Sequence, residues 1–156
     1  MTLQWRVRPV EPADEAGWRH LWKGYCEYYE VSISEDVTDA LWRRIMDDGA
    51  GIQAVVAESV SPKIEPQLII GFGNYVLHPY TWGKGVMCYL EDLFVAEQHR
   101  RAGVGRTLIE ALIKMGYDNG WARVYWHTHE SNDVARSLYE KVIPVDPFVR
   151  YVVHLR

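Results

Sequence analysis

The sequence predicts one α/β domain over residues 1–156, a mixed, mostly antiparallel sheet flanked by helices in the order β-α-α-β-β-β-α-β-α-β. Successive strand-like runs at Ile52 to Glu58, Leu68 to Leu77 and Val86 to Val95 have short connections, which makes them antiparallel neighbours. The stretch from Val86 to Thr128 reads strand, helix, strand, and such a unit returns to the sheet as a parallel neighbour through a right-handed crossover. The chain's 156 residues contain no repeat, low-complexity tract or linker. That length suits one core and buries roughly 68–70% of the unfolded surface.

Each element has its own signal. Leu3 to Val10 alternates as a strand does, with Leu3, Trp5, Val7 and Pro9 on one side and Gln4, Arg6 and Arg8 on the other. Pro12 and Asp14 open a helix in which Trp18, Trp22, Tyr25 and Tyr29 form one aromatic stripe, expected to face the core. Ser34 and Asp36 cap a short second helix around Asp39 to Met46, ended before Gly49 and Gly51. Ser61-Pro62-Lys63-Ile64-Glu65-Pro66 is the turn between the next two strands, and His78 to Gly85 is the loop before the central strand, Val86 to Val95. Gly103 to Asn119 is the long helix, with Val104, Leu108, Leu112 and Met115 near one face and Asn119-Gly120 as its stop. Arg123 to Thr128 reads as a strand, Asn132 to Val142 as a helix and Val149 to Leu155 as a last strand.

Composition narrows the function classes. Hydrophobic residues make up 48% and charged residues 24%, an ordinary globular balance. Two cysteines, Cys26 and Cys88, form no C-x-x-C, which argues for a reducing compartment over a disulfide scaffold or zinc knuckle. No basic-then-apolar leader and no apolar run near ~18 residues is visible, so a soluble cytoplasmic protein with no membrane partner is expected. The net charge of −4 argues against nucleic acid. Acidic side chains crowd the first quarter, whereas Arg100, Arg101 and Arg106 crowd one glycine-bearing turn.

That turn, Arg100-Arg101-Ala102-Gly103-Val104-Gly105, is the most informative stretch. It lies between the apolar run Tyr89 to Val95 and the amphipathic run Thr107 to Ile113. The first N–H groups of a helix have no intrahelical partner and sit at the positive end of its dipole. Glycines let a bulky anion approach that backbone, and arginines add full charges. A phosphate-bearing ligand is therefore expected at the end of the strand, against the plainer reading of a tight helix start with surface arginines. No G-x-x-x-x-G-K-S/T is present, and Leu108 stands where a dinucleotide fingerprint needs its third glycine.

These segments resemble the Gcn5-related N-acetyltransferase (GNAT) superfamily. Arg100 to Gly105 matches its acetyl-coenzyme-A signature, Q/R-x-x-G-x-G/A. Asn132 to Lys141 matches its N-x-x-A-x-x-x-Y helix, and Tyr89-Leu90-Glu91-Asp92-Leu93-Phe94-Val95 matches the strand before the turn. The resemblance covers nearly the whole chain in element order and is nearest to the diamine branch, the spermidine/spermine and thialysine acetyltransferases. One departure is plain. After Tyr139-Glu140-Lys141 the family continues into a glycine-containing turn, whereas this chain runs Val142-Ile143-Pro144-Val145-Asp146-Pro147.

The resemblance implies acetyl-coenzyme A as cosubstrate and no metal. Arg100, Arg101, Ala102, Gly103, Val104 and Gly105 would hold its pyrophosphate. Its pantetheine arm would pair with backbone near Leu93, Phe94 and Val95, with Asn132 on the other side. Asn132 is also a favoured helix cap. The implied reaction is direct acetyl transfer to a primary amine. Glu91 is the candidate acceptor of the amine's proton. Asp92 would point to the opposite face of a regular strand. Tyr139, at the family's tyrosine position, would protonate the leaving thiolate. Trp82, Asp92, Tyr25, Glu27 and Tyr28 are the candidates for the amine pocket, since rings and carboxylates suit an alkylammonium. Cys88 reads as a small buried hydrophobe. His127 and His129 lack a third ligand, so no metal site is expected there. The expected partner is a small-molecule amine (polyamine, diamino acid or amino acid). A protein lysine or N-terminal acceptor and a non-catalytic coenzyme-A-binding module stay open. Relatives are often homodimers, and that expectation comes with the resemblance.

Overall fold

The computed structural model describes residues 3–60 and 68–156. The turn expected at Ser61 to Pro66 lies outside the described residues. One sheet runs through the molecule in the order β1 (Trp5–Pro9), β2 (Ile52–Ser59), β3 (Ile69–Pro79), β4 (Val86–Val95) and β5 (Arg123–Trp126). The first four strands are antiparallel neighbours, and β5 lies parallel to β4. The helices are α1 (Glu15–Tyr28), α2 (Glu35–Ile45), α3 (Val104–Asn119) and α4 (Asp133–Tyr139).

The middle strands are covered on both faces, so their sequences are apolar runs and not alternations. Ala54, Val56 and Phe72 pack with Trp18, Leu21, Trp22 and Trp42 of α1 and α2. Val55, Ala57, Tyr75, Cys88 and Leu90 pack with Val104, Leu108, Ile109 and Leu112 of α3. Cys88 is fully buried, and burial pushes its thiol pKa up to about 12. α2 starts at Glu35, about a turn earlier than expected, because Ser34 is itself the N-cap and its carbonyl accepts from Thr38 N–H at 3.0 Å.

One expected element is absent. Val149 to Leu155 forms no strand, and residues 144–156 run without helix or strand. Alternation identifies a chain suited to a sheet, but a strand exists only where a neighbour supplies the other half of its ladder. Pro144 and Pro147 fix their own φ and hold the preceding residues extended, so the chain leaves α4 without turning back onto the sheet.

Candidate active site

The centre of β4 is irregular. Tyr75 pairs with Leu90 while Asn74 pairs with Asp92, so Glu91 is the extra residue of a β-bulge. A bulge bends its strand and re-aims side chains. Cys88 and Leu90 face α3 before it and Leu93 and Val95 face α3 after it, while Phe94 turns toward α1. β4 and β5 also part here, since their pairing runs from Met87 with Arg123 to Leu90 with Trp126 and no further. Among the described residues, no strand pairs with β4 on its β5 side past Leu90.

The parting strands open a small cleft of about 120 Å³. β4 lines it with Leu90, Glu91 and Leu93, and the end of β5 with Trp126, His127, Thr128 and His129. Tyr25 and Tyr29 of the α1 region, with Asn132 and Tyr139 at the two ends of α4, complete it. Burial and then neighbouring Asp92 push the Glu91 carboxyl above its ordinary pKa, opposed by Arg44. Burial pushes the Tyr139 phenol up to about 12, so it carries its proton at neutral pH. Its ring meets Trp126 edge-on, 5.7 Å between centroids.

The glycine turn follows β4 and opens α3, and none of its residues from 100 to 105 lines the cleft itself. Gly103 is the N-cap of α3 at φ 98, a left-handed conformation in which glycine carries no Cβ penalty. No side chain caps this end, so the first N–H groups of α3 point outward. A Cβ on Gly105 would come within 3.1 Å of Leu138 Cδ2, so glycine here lets α3 and α4 approach. Arg101 and Ala102 are exposed beside it. Arg100 is already engaged: its Nε donates to the Val95 carbonyl at 2.9 Å, and its guanidinium lies 5.1 Å from the Tyr28 ring centre and 5.2 Å from that of Phe94. A strand end that displays free backbone beside an uncapped, glycine-bearing helix start fits a long ligand with an amide arm and an anionic tail.

Several expected pocket residues stand elsewhere. Trp82 is 88% exposed in the loop before β4, at the other end of that strand from Leu93, and does not line the cleft. Glu27 is exposed on α1 and also outside it, because helical periodicity turns it away from Tyr25 and Tyr29. Tyr28 serves as a platform for Arg100 and packs against Tyr29. Asp92 does not line the cleft: its carboxylate accepts from Asn74 Nδ2 at 3.1 Å and lies near Tyr25, while burial raises its pKa. Asn74 in turn accepts from Trp18 Nε1 at 3.1 Å. Phe94 is buried toward α1 and its backbone faces β3, where it pairs with Phe72, so the expected contact of Phe94 with a ligand is not formed from either side. Asn132 caps α4, its Oδ1 accepting from Ala135 N–H at 3.2 Å, and it also lines the cleft.

Tyr29 and His127 were missed. Tyr29 ends the aromatic stripe of α1, whose first members Trp18 and Trp22 are core while its last emerges into the cleft. His127 follows β5, with Nδ1 3.3 Å from the Tyr89 hydroxyl. Its signal was the H-T-H run, considered only for metal. Among the described residues no three His, Cys, Asp or Glu side chains converge as a metal site would require.

The chain belongs to the acetyltransferase (GNAT) family, whose profile matches residues 18–143. It is 33% identical over 136 residues to the D-amino-acid N-acetyltransferase HPA3 of Saccharomyces cerevisiae, covering 87% of this chain and 82% of that one. It is 28% identical over 140 residues to the thialysine N-epsilon-acetyltransferase of Bos taurus, covering 86% and 80%. Among solved structures, the aminoglycoside acetyltransferase meta-AAC0020 from an uncultured soil metagenomic sample superposes with a TM-score of 0.79 at 18% identity, over 97% of each chain. The protein is an N-acetyltransferase.

Proposed function

We propose that this enzyme moves an acetyl group from acetyl-coenzyme A directly to the primary amine of a small molecule. The observation that carries this reading is the placement of Glu91 and Tyr139 on one cleft, at the point where β4 loses its neighbour. Acetyl-coenzyme A, when bound, supplies the thioester. The outward N–H groups at Gly103, Val104 and Gly105, with Arg101, bind its diphosphate. The open backbone of β4 at Leu93, with the Val95 N–H, pairs with its amide arm, and Asn132 closes the other side; the Val95 carbonyl is held by Arg100.

Glu91 draws the ammonium of the acceptor and takes its proton, directly or through water, because only the neutral amine is nucleophilic. The amine nitrogen then bonds to the acetyl carbon, and the carbon–sulfur bond breaks. Tyr139 gives its hydroxyl hydrogen bond, or proton, to the departing sulfur. Asp92 holds Tyr25 in the wall and adds negative charge behind Glu91. Tyr25, Tyr29 and His127 shape the entrance for a slim amine.

The names of the two relatives support an amino acid or diamino acid as acceptor, with polyamines as the third candidate. Cys26 and Cys88 are both free thiols, in keeping with a reducing, cytoplasmic setting. The test is an amine panel with acetyl-coenzyme A and a thiol-detecting dye. Thiol release with free amino acids or diamines is expected. Release only with lysine-bearing peptides would move the reading to a protein acceptor, and binding of acetyl-coenzyme A with no release for any amine would end it.

A further inference from the structure

Arg100 opens the glycine turn, yet its guanidinium is turned back toward β4 and α1. Its Nε donates to the Val95 carbonyl at 2.9 Å, and the guanidinium carbon lies 5.1 Å from the Tyr28 ring centre and 5.2 Å from that of Phe94. Both separations are short enough for a cation to be attracted to an aromatic ring. A lysine could not serve all three partners, because its charge is compact and lacks the planar fork.

Two chains of contact run from Arg100 to the wall of the cleft. Along α1, Tyr28 meets Tyr29 edge-on with ring centres 5.0 Å apart, and Tyr29 meets Tyr25 at 4.8 Å. Through β4, Phe94 meets Tyr25 edge-on at 6.3 Å. Tyr25 and Tyr29 line the cleft with Glu91 and Tyr139, whereas Arg100, Tyr28 and Phe94 do not. Arg100 therefore stands one ring away from each α1 residue of the wall.

This end of α1 needs a hold from outside. Beyond Tyr29, Glu30 takes a φ of 54, and the helix closes with the Val31 N–H donating to the Cys26 carbonyl at 3.0 Å. That left-handed closing position suits glycine, and a side chain there is strained. Tyr28 and Tyr29 are 48% and 41% exposed, so core packing alone does not fix them. Phe94 is fixed: a Cβ on Gly24 would come within 3.0 Å of its Cζ, so the ring sits directly on the α1 backbone. Arg100 bridges this fixed ring and the exposed Tyr28.

We propose that Arg100 is a positioning residue for the amine acceptor and not a ligand of the coenzyme's diphosphate. It is a strut that holds the Tyr28–Tyr29 end of α1 against β4 and so sets the Tyr25 and Tyr29 side of the cleft. For the identity of the two ligands this rests on acetyl transfer as proposed above.

The variants Arg100→Ala, Arg100→Lys, Tyr28→Ala and Tyr28→Phe test it, each measured by calorimetry with acetyl-coenzyme A and by thiol release with the best amine of the panel. Arg100→Ala and Tyr28→Ala should raise the amine KM about tenfold, the size of a partly desolvated cation–π contact, with kcat falling less and Kd for acetyl-coenzyme A within about threefold of wild type. Arg100→Lys should fail as Arg100→Ala does although it keeps the charge, and Tyr28→Phe, which keeps the ring, should match wild type. Arg100→Ala combined with Tyr28→Ala should be little worse than either alone, since both remove one contact. A coenzyme affinity lost in Arg100→Ala and restored in Arg100→Lys would make Arg100 a phosphate ligand and overturn the proposal. So would an unaltered amine KM, or losses that add in the double variant. Amide hydrogen exchange judges the strut without any acceptor: in Arg100→Ala it should quicken about tenfold from Tyr29 to Val31 and stay unchanged along α3. If the wild type acetylated no amine, the functional reading would fail by itself, and unchanged exchange from Tyr29 to Val31 would sink the strut.

Discussion

At the scale of single residues, burial sorts the chemistry. Tyr139 is kept protonated by its surroundings, which suits a hydrogen-bond donor to a leaving sulfur and not a base. Tyr139→Phe should therefore lower kcat by roughly 10²–10⁴, the usual contribution of a positioned acid, with coenzyme affinity by calorimetry nearly unchanged. An unaltered kcat would remove the role. Glu91 has a raised pKa and acts in its ionised form, so Glu91→Gln should cost most between that pKa and the pKa of the amine, where carboxylate and ammonium coexist. The deficit in kcat/KM should shrink at alkaline pH, where the amine is already neutral; a deficit constant across pH would exclude proton acceptance. Asn74 joins Trp18 to Asp92, and both lose a partner in Asn74→Ala. A loss of about 1–3 kcal/mol in denaturant titrations is expected, the cost of buried polar groups left short.

At the scale of elements, the legible features are those written in contiguous sequence. The turn from Arg100 to Gly105 declares itself because its glycines and charges act where they stand, and Gly103 does adopt the left-handed cap. Gly103→Ala should cost about 1–2 kcal/mol from strain at that φ and weaken coenzyme binding; melting and calorimetry measure the two effects separately. The bulge at Glu91 was not legible, since it arises from how β4 aligns with Asn74 and Tyr75 on another strand. Strict alternation placed Asp92 on the face opposite Glu91; the extra residue instead leaves Glu91 in the cleft and turns Asp92 onto Tyr25. Tyr29 and Trp82 exchanged places for a similar reason. Ring content nominates both, but only the packing of α1 against β4 decides which ring reaches the cleft. The tail shows the same limit: alternation is local, whereas a strand needs a neighbour, and Val149 to Leu155 pairs with none.

Across the whole molecule, one ion-pair network ties the first strand to the rest. Arg8 of β1 donates to Asp14, in the 3-10 turn before α1, at 2.7 Å, and to Glu58 of β2 at 3.1 Å; Arg6 adds a contact to Glu58 at 2.6 Å. For Asp14, burial pushes the pKa upward, but the bonds from Arg8 and the Glu11 N–H outweigh it and hold the carboxyl below its ordinary value. For Glu58 the Arg8 bond leads and likewise lowers it. A carboxyl more acidic in the native state than in the unfolded chain binds fewer protons there, so its stabilisation is full above the unfolded pKa near ~4 and is lost as pH falls below it. Melting temperature should therefore drop steeply below about pH 4, with α1 and β1 released from the sheet edge. Glu58→Gln removes one of the two titrating partners, so its melting temperature should start lower at neutral pH and fall less on acidification. Arg8→Ala leaves both carboxylates without their main partner and should cost about 3–5 kcal/mol at neutral pH, the penalty for breaking a buried pair from one side. Part of that loss should be recovered on mild acidification, because protonation relieves the stranded charge on Asp14, while Glu58 keeps Arg6. If wild type and both variants lost stability in parallel from pH 7 to pH 3, the network would have no part in acid unfolding, and the edge at β1 would be held by packing of Trp5 and Val7 alone.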